Sequence, residues 1–237
     1  MTSTLKINTI EPEGATTTLT VGESGQNTVI AGAGIKANVA KDAGANAIFT
    51  SDGSGTLSGL NSGFGSAQVL LSTQTASSSA SISFTSGIDN TYKEYVFEFI
   101  NISPATDDKA FQFQAGSSYN TTITSTTFRP YHTESDASGL AYVAGEDQAQ
   151  GTAFQSIGFS LSNQADSSGS GELHLFNPAS TTFVKNFYST FQYMANAPGS
   201  VEFFLGGYLN ITSAITQVQF KFSSGNFDGT IKMYGIK

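Results

Sequence analysis

Two histidines, His132 and His174, are the chain's whole supply of imidazole for acid–base chemistry or metal coordination. His132 stands in RPYHTESD (Arg129–Asp136), with Glu134 and Asp136 two and four residues on. An H-x-E-x-D run on a strand sets its donors along one face, and hard cations accept such carboxylates. No second histidine or partner cluster is near in sequence, so a solvated loop without a metal is expected. His174 lies in ELHLF and shares its strand face with Glu172 and Phe176, which predicts a solvent-facing position.

Other chemistries lack their residue patterns. No G-x-S-x-G elbow or P-loop occurs, and GAGIKA lacks the third glycine and the βαβ context of a dinucleotide site. SDGSG (Ser51–Gly55) and DSSGSGE (Asp166–Glu172) resemble calcium loops but lack EF-hand spacing, so they read as turns. With no cysteine there is no disulfide framework and no thiolate nucleophile or ligand. No paired carboxylates suggest glycosidase work. The expectation is a non-enzyme without a cofactor.

The region most like a binding site is Gly116–Gln150, a long stretch poor in strand alternation. It carries Tyr119, Tyr131, His132, Glu134, Asp136 and Tyr142, the candidate receptor or carbohydrate contacts. Tyrosine with hydrogen-bonding neighbours suits sugars, which offer both CH patches and hydroxyls. Long loops of this kind are commonly functional; the plainer alternative is an ordinary loop with a short strand at Leu140–Ala144.

These residues need a scaffold. From Ala67 onward short alternating segments recur: Gln68–Thr75, Ala80–Ser86, Tyr92–Ile102, Ala110–Gly116, Thr152–Ser162, Gly171–Asn177, Thr181–Met194, Ser200–Asn210, Ala214–Ser223 and Gly229–Lys237. Tyr95, Phe97 and Phe99 should point inward, with Val96, Glu98 and Ile100 opposite. The prolines at 12, 104, 130, 178 and 198 are expected in turns. Turns at steps of about 8–12 residues predict an all-β antiparallel, jelly-roll-like sandwich.

Residues 1–65 differ. They are rich in Gly, Ser, Thr and Ala, with Phe49 and Phe64 the only aromatic residues. Ser3–Gly14 (STLKINTIEPEG) alternates like a strand and ends at Pro12 and Gly14. Further short strands are expected at Leu19–Val21, Thr28–Ala31 and Ala47–Thr50, and a helix or turn at Gly34–Ala47. Such a segment buries too little apolar area to offset its ordering entropy alone. It reads either as a flexible linker or as an extended part whose core neighbouring chains complete. The division expected is therefore 1–65 and 66–237.

A net charge of −8 and a pI near 4.6 disfavour nucleic acid and anionic membrane surfaces. Charged residues are only 12% of the chain, against about 25% in ordinary soluble domains, so the surface must be polar but largely uncharged. Lys6 interrupts any leader-like apolar run, and no stretch approaches the ~20 apolar residues needed to span a bilayer.

Several stretches resemble tail-fibre-like proteins of marine bacteriophages, especially those infecting cyanobacteria. They are TSTLKINTIEP, TTTLTVGESGQNTVIAGAG, YKEYVFEFINISPATDD, NPASTTFVKNF and the ending GNFDGTIKMYGIK. The resemblance covers most of the chain and its motifs are structural. It implies a virion component on the tail or capsid surface, assembled in the host cytoplasm as a homotrimer. An N-terminal part would mount it on other tail or capsid proteins, with Leu5, Ile7 and Ile10 as the attachment strand. A C-terminal β domain would meet a glycan or protein of the host surface. The chain lacks a long shaft, so a short fibre or fibre tip fits best; a capsid decoration, a tail adaptor or a carbohydrate-degrading spike are the alternatives. Deleting Thr2–Gly14 is expected to leave the sandwich folded while abolishing trimer register, read by light scattering, or virion incorporation. Loss of the sandwich's circular dichroism on deletion would instead assign that strand to the sandwich.

Overall fold

The computed structural model describes residues 39–41, 47–51, 57–58 and 67–237. The chain divides into two compact units, Met1–Gly65 and Ser66–Lys237. In the first, β1 (Val39–Lys41), β2 (Ala47–Ser51) and β3 (Leu57–Ser58) form a small antiparallel sheet. The strand expected at Ala47–Thr50 is β2. The helix or turn expected over Gly34–Ala47 is corrected at Val39–Lys41, where Val39 pairs with Thr50 and Ala40 with Phe49. Glycine and asparagine dilute any helical stripe there, so cross-strand pairing of the β-branched Val39 prevails. Leu5, Ile7, Ile10 and the strands expected at Ser3–Gly14, Leu19–Val21 and Thr28–Ala31 lie outside the described residues.

The second unit is an all-β antiparallel sandwich with no helix among the described residues. It begins with β4 (Gln68–Ser79), β5 (Ile82–Phe84), β6 (Glu94–Pro104) and β7 (Lys109–Ala115). An insertion follows: β8 (Ile123–Thr133), β9 (Ser138–Tyr142) and β10 (Ala149–Gly151). After β11 (Gln155–Leu161) and β12 (Gly169–Phe176) comes a long hairpin, β13 (Lys185–Met194) and β14 (Gly199–Leu209). The chain closes with β15 (Val218–Phe222) and β16 (Phe227–Ile236).

One sheet contains the order β4-β16-β6-β12 and the other β5-β15-β7-β11. Among these eight strands, taken in chain order, every step but β7 to β11 swaps sheets, which is the two-Greek-key order of a jelly roll. The larger sheet then continues past β12 through β13, β14 and β8 to β10, with β9 also paired to β8.

Phenylalanine fills the space between the sheets. Phe99 on β6 meets Phe111 on β7 and Phe220 on β15 edge-on, both with centroids 5.2 Å apart. Phe97 packs on Phe84 at 5.3 Å and Phe113 on Phe187 at 5.1 Å. Each such pair contributes roughly 0.5–1.5 kcal/mol beyond the area it buries. Tyr95, Phe97 and Phe99 are fully buried, as their alternation predicts.

The Gly116–Gln150 stretch is corrected, because it holds β8, β9 and β10. β8 hides its strand character by facing inward with Ser125, Thr127, Arg129 and Tyr131, so apolar alternation is missing. Residues 143–155 cover that polar face. The Thr127 hydroxyl donates to the Val143 carbonyl (2.9 Å), Ser125 to Gln155 Oε1 (2.7 Å) and Gln155 Nε2 to the Glu146 carbonyl (2.8 Å). Pro130 sits inside β8 and Pro104 ends β6, which corrects their expected turn positions. Pro130 is tolerated because the register of β8 with β14 skips from Tyr131 to Phe128, where its missing N–H is not needed.

Titratable side chains are buried in the interior too, Lys185 and Tyr193 among them. Lys185 is fully buried and donates to the carbonyls of Phe183 (2.7 Å), Ile211 (3.1 Å) and Thr212 (3.2 Å), tying two loops together; its desolvation lowers the amine's pKa. Burial pushes the Tyr193 phenol up to about 12. An unfolded tyrosine loses its proton near pH 10, so Tyr193 stabilises the fold fully below that pH and loses its contribution as pH rises toward 12. That loss amounts to about 2–3 kcal/mol. Denaturant unfolding measured from pH 9 to 12 should show a shallower decline for Tyr193→Phe; identical slopes would contradict the assignment.

Candidate functional site

The face of the large sheet turned away from the sandwich core is set by strict alternation on β12, β13, β14 and β8. Phe187, Phe191, Phe203 and Leu205 point inward and are buried, so Tyr188, Thr190, Phe204 and Gly206 point outward. Strand register then assembles two outward rows. One runs Glu172, Thr190, Phe204, Phe128, Tyr142; the next runs His174, Tyr188, Gly206, Thr126.

The rings in these rows form two stacks. Phe128 and Phe204 lie face to face at 4.8 Å with planes only 7° apart. Tyr188 stacks on His174 at 4.4 Å and 12°, with Phe176 behind at 5.8 Å. Phe128, Tyr142 and Tyr188, all on this face, remain 44%, 57% and 42% exposed. Gly206 lies between the stacks, and a Cβ there would meet only Thr126 Cγ2, at 4.0 Å. The glycine thus floors an open groove of about 270 Å³ walled by Tyr188, Phe204 and Phe128.

The two ends of the groove differ in polarity. Toward β8 and β10, Gln150 Nε2 donates to Thr124 Oγ1 (2.6 Å), and Asn210 Nδ2 donates to Gln150 Oε1 (2.7 Å). Tyr142 donates to the Asp147 carboxylate. Toward β12, His174 Nδ1 is 2.5 Å from Glu94 Oε1, while its Nε2 is 3.1 Å from Glu172 Oε1 but poorly directed for a hydrogen bond. Burial, followed by the charges of Glu172 and Glu94, raises the Tyr188 phenol above its ordinary pKa. His174 is therefore on the expected face, but it is mostly covered rather than freely solvated. The middle of the groove, from Tyr188 to Phe128, is uncharged.

The sequence-derived candidates separate into different places. Tyr142 joins this face opposite Phe128. His132, Glu134 and Asp136 gather around an open depression of about 530 Å³ at the end of the sheet, where His132 Nε2 is 3.2 Å from Asp136 Oδ1. Tyr131 faces inward and its ring lies against Gly139. Tyr119 stands apart in the β7–β8 connection, its hydroxyl donating to Gln217 Oε1 (3.2 Å). Among the described residues no three His, Asp or Glu side chains are placed to hold a metal ion.

Phe128, Tyr188, Phe204 and Gly206 are functional candidates that the loop argument misses. A signal was present in the aromatic doublets Phe187–Tyr188 and Phe203–Phe204. On a strand, one ring of each doublet must face away from the core. No family model matches this chain, and neither a curated protein nor a solved structure does.

Proposed function

We propose that this chain is a structural attachment protein of a phage virion, a short tail fibre or fibre tip, and acts without catalysis. Its sandwich holds a neutral host-surface glycan against the outward face of β13, β14 and β8. The single observation that carries the reading is the uncharged groove floored by Gly206 and walled by Tyr188 and the Phe128–Phe204 stack. Aromatic faces match the CH patches of a pyranose, and the flanking Thr, Gln and Asn groups match its hydroxyls. The resemblance to cyanophage tail-fibre-like proteins supports the virion role, homotrimeric assembly through residues 1–65, and mounting on tail or capsid proteins.

Gly206→Val projects a side chain into the groove, where its Cβ meets only Thr126 Cγ2, at 4.0 Å. Its binding to envelope polysaccharide from susceptible cells is expected to weaken at least about tenfold, equivalent to ~1.4 kcal/mol, with unfolding unchanged. Tyr188→Ala should act in the same direction. Wild-type affinity in both variants would contradict the site, and release of reducing ends from the polysaccharide would contradict the non-catalytic reading.

A further inference from the structure

Arg129 is the only arginine in a chain with 18 acidic residues and a net charge of −8. In such a chain a lone guanidinium would be expected to find a carboxylate. It has none among the described residues, whose ion pairs involve His132, His174 and Lys232 instead. Its carbon Cζ rests 4.4 Å from the centroid of Phe159 and 5.4 Å from that of Tyr131. Its Nε is buried without a hydrogen-bond partner. The guanidinium hydrogen-bonds the Tyr193 phenol, on which its positive charge also acts, as does Glu146 with the opposite sign from a different cavity.

Arg129 lines a cavity of about 250 Å³ at the turn of the β13–β14 hairpin. The walls include Tyr131, Ala195, Ala197 and Val201, with His132 and Ser200 at the polar side, and no carboxylate belongs to the lining. The two rings compensate part of the cost of desolvating this half-buried cation. They cannot accept its N–H groups as an oxygen would. A planar guanidinium whose Nε–H is unpaired is shaped for bidentate contact with a carboxylate. The apolar wall opposite suits the CH face of one sugar ring, and a space of this size admits one ring rather than a chain.

We infer that this cavity is a subsite for a carboxylate-bearing sugar, a hexuronate or a similar acidic monosaccharide unit. The inference extends the glycan-binding reading to a second, charged contact, and it stands on residues separate from the aromatic groove.

Because Arg129 is unique, its Nε–Hε resonance in the full-length, nitrogen-15-labelled chain reports on this site without ambiguity. Titration with glucuronate is expected to shift that signal saturably, with a dissociation constant on the order of millimolar. Glucose at the same concentrations should leave it in place. Arg129→Lys keeps the charge but loses the fork, so the thermal stabilisation that glucuronate gives should require at least about tenfold more ligand. Absence of a saturable shift would overturn the proposal, as would an equal response to glucose. An equal response to sulfate at matched ionic strength would reduce the site to a nonspecific anion contact and overturn it too. Gly206→Val should leave this titration unchanged, so failure of the aromatic groove and failure of the charged subsite are read separately.

Discussion

The sandwich is governed by a mismatch: one sheet has nine strands and the sheet packed on it has four. A four-stranded layer covers β4, β16, β6 and β12, and there the interior is a phenylalanine lattice joining Phe97 and Phe99 to Phe111 and Phe220. Past β12 the cover runs out. Phe113 still reaches Phe187, and Phe159 reaches Phe203, but β8 lies beyond them. Residues 143–155 close that last part, and the Val143 carbonyl and the Gln155 side chain explain why the inward face of β8 carries Thr127 and Ser125. Buried Gln114 works the same way, donating to the carbonyls of Thr121 and Ala153. Buried polar groups are tolerable only when paired, and here the pairing is the means by which a loop becomes part of the core.

The same mismatch shapes the opposite face. Strands β13, β14 and β8 are packed from below through Phe187, Phe203 and Thr127, so their outward side chains are less constrained by folding. Rings can stand there in fixed register, and a glycine can leave a gap between them at little cost. On the proposed reading, this extension converts a plain jelly roll into a binding surface. Its neutral middle suits a glycan, while the Glu94–His174–Glu172 cluster at one end and the Arg129 cavity behind the sheet add charge at defined places.

Much of the architecture was legible in the residues. Alternation in Tyr92–Ile102, Gly171–Asn177 and Ser200–Asn210 gives the correct class, and in the first two the correct inward faces, because hydrophobic burial imposes period two directly. The strand β8 was not legible, since its inward residues are polar, and Ser125 and Thr127 pair with a segment about twenty residues later in the chain. Pro130 was misplaced in a turn for a related reason: only the register with β14 reveals that its N–H is dispensable. The site was legible only at Tyr142. Tyr188, Phe204 and Phe128 come from three strands, and only pairing register brings them together. The doublets Phe187–Tyr188 and Phe203–Phe204 announce outward rings, but not that they share a groove.

The central claim is that the outward face of the extended sheet receives the glycan. The most direct measurement is backbone chemical-shift mapping of the full chain during titration with oligosaccharides from the host envelope. The account predicts shifts centred on Tyr188, Gly206, Phe128 and Phe204, spreading to Thr126 and Tyr142. Shifts confined to the His132–Asp136 depression or to residues 1–65, with the β13–β14 face silent, would contradict it.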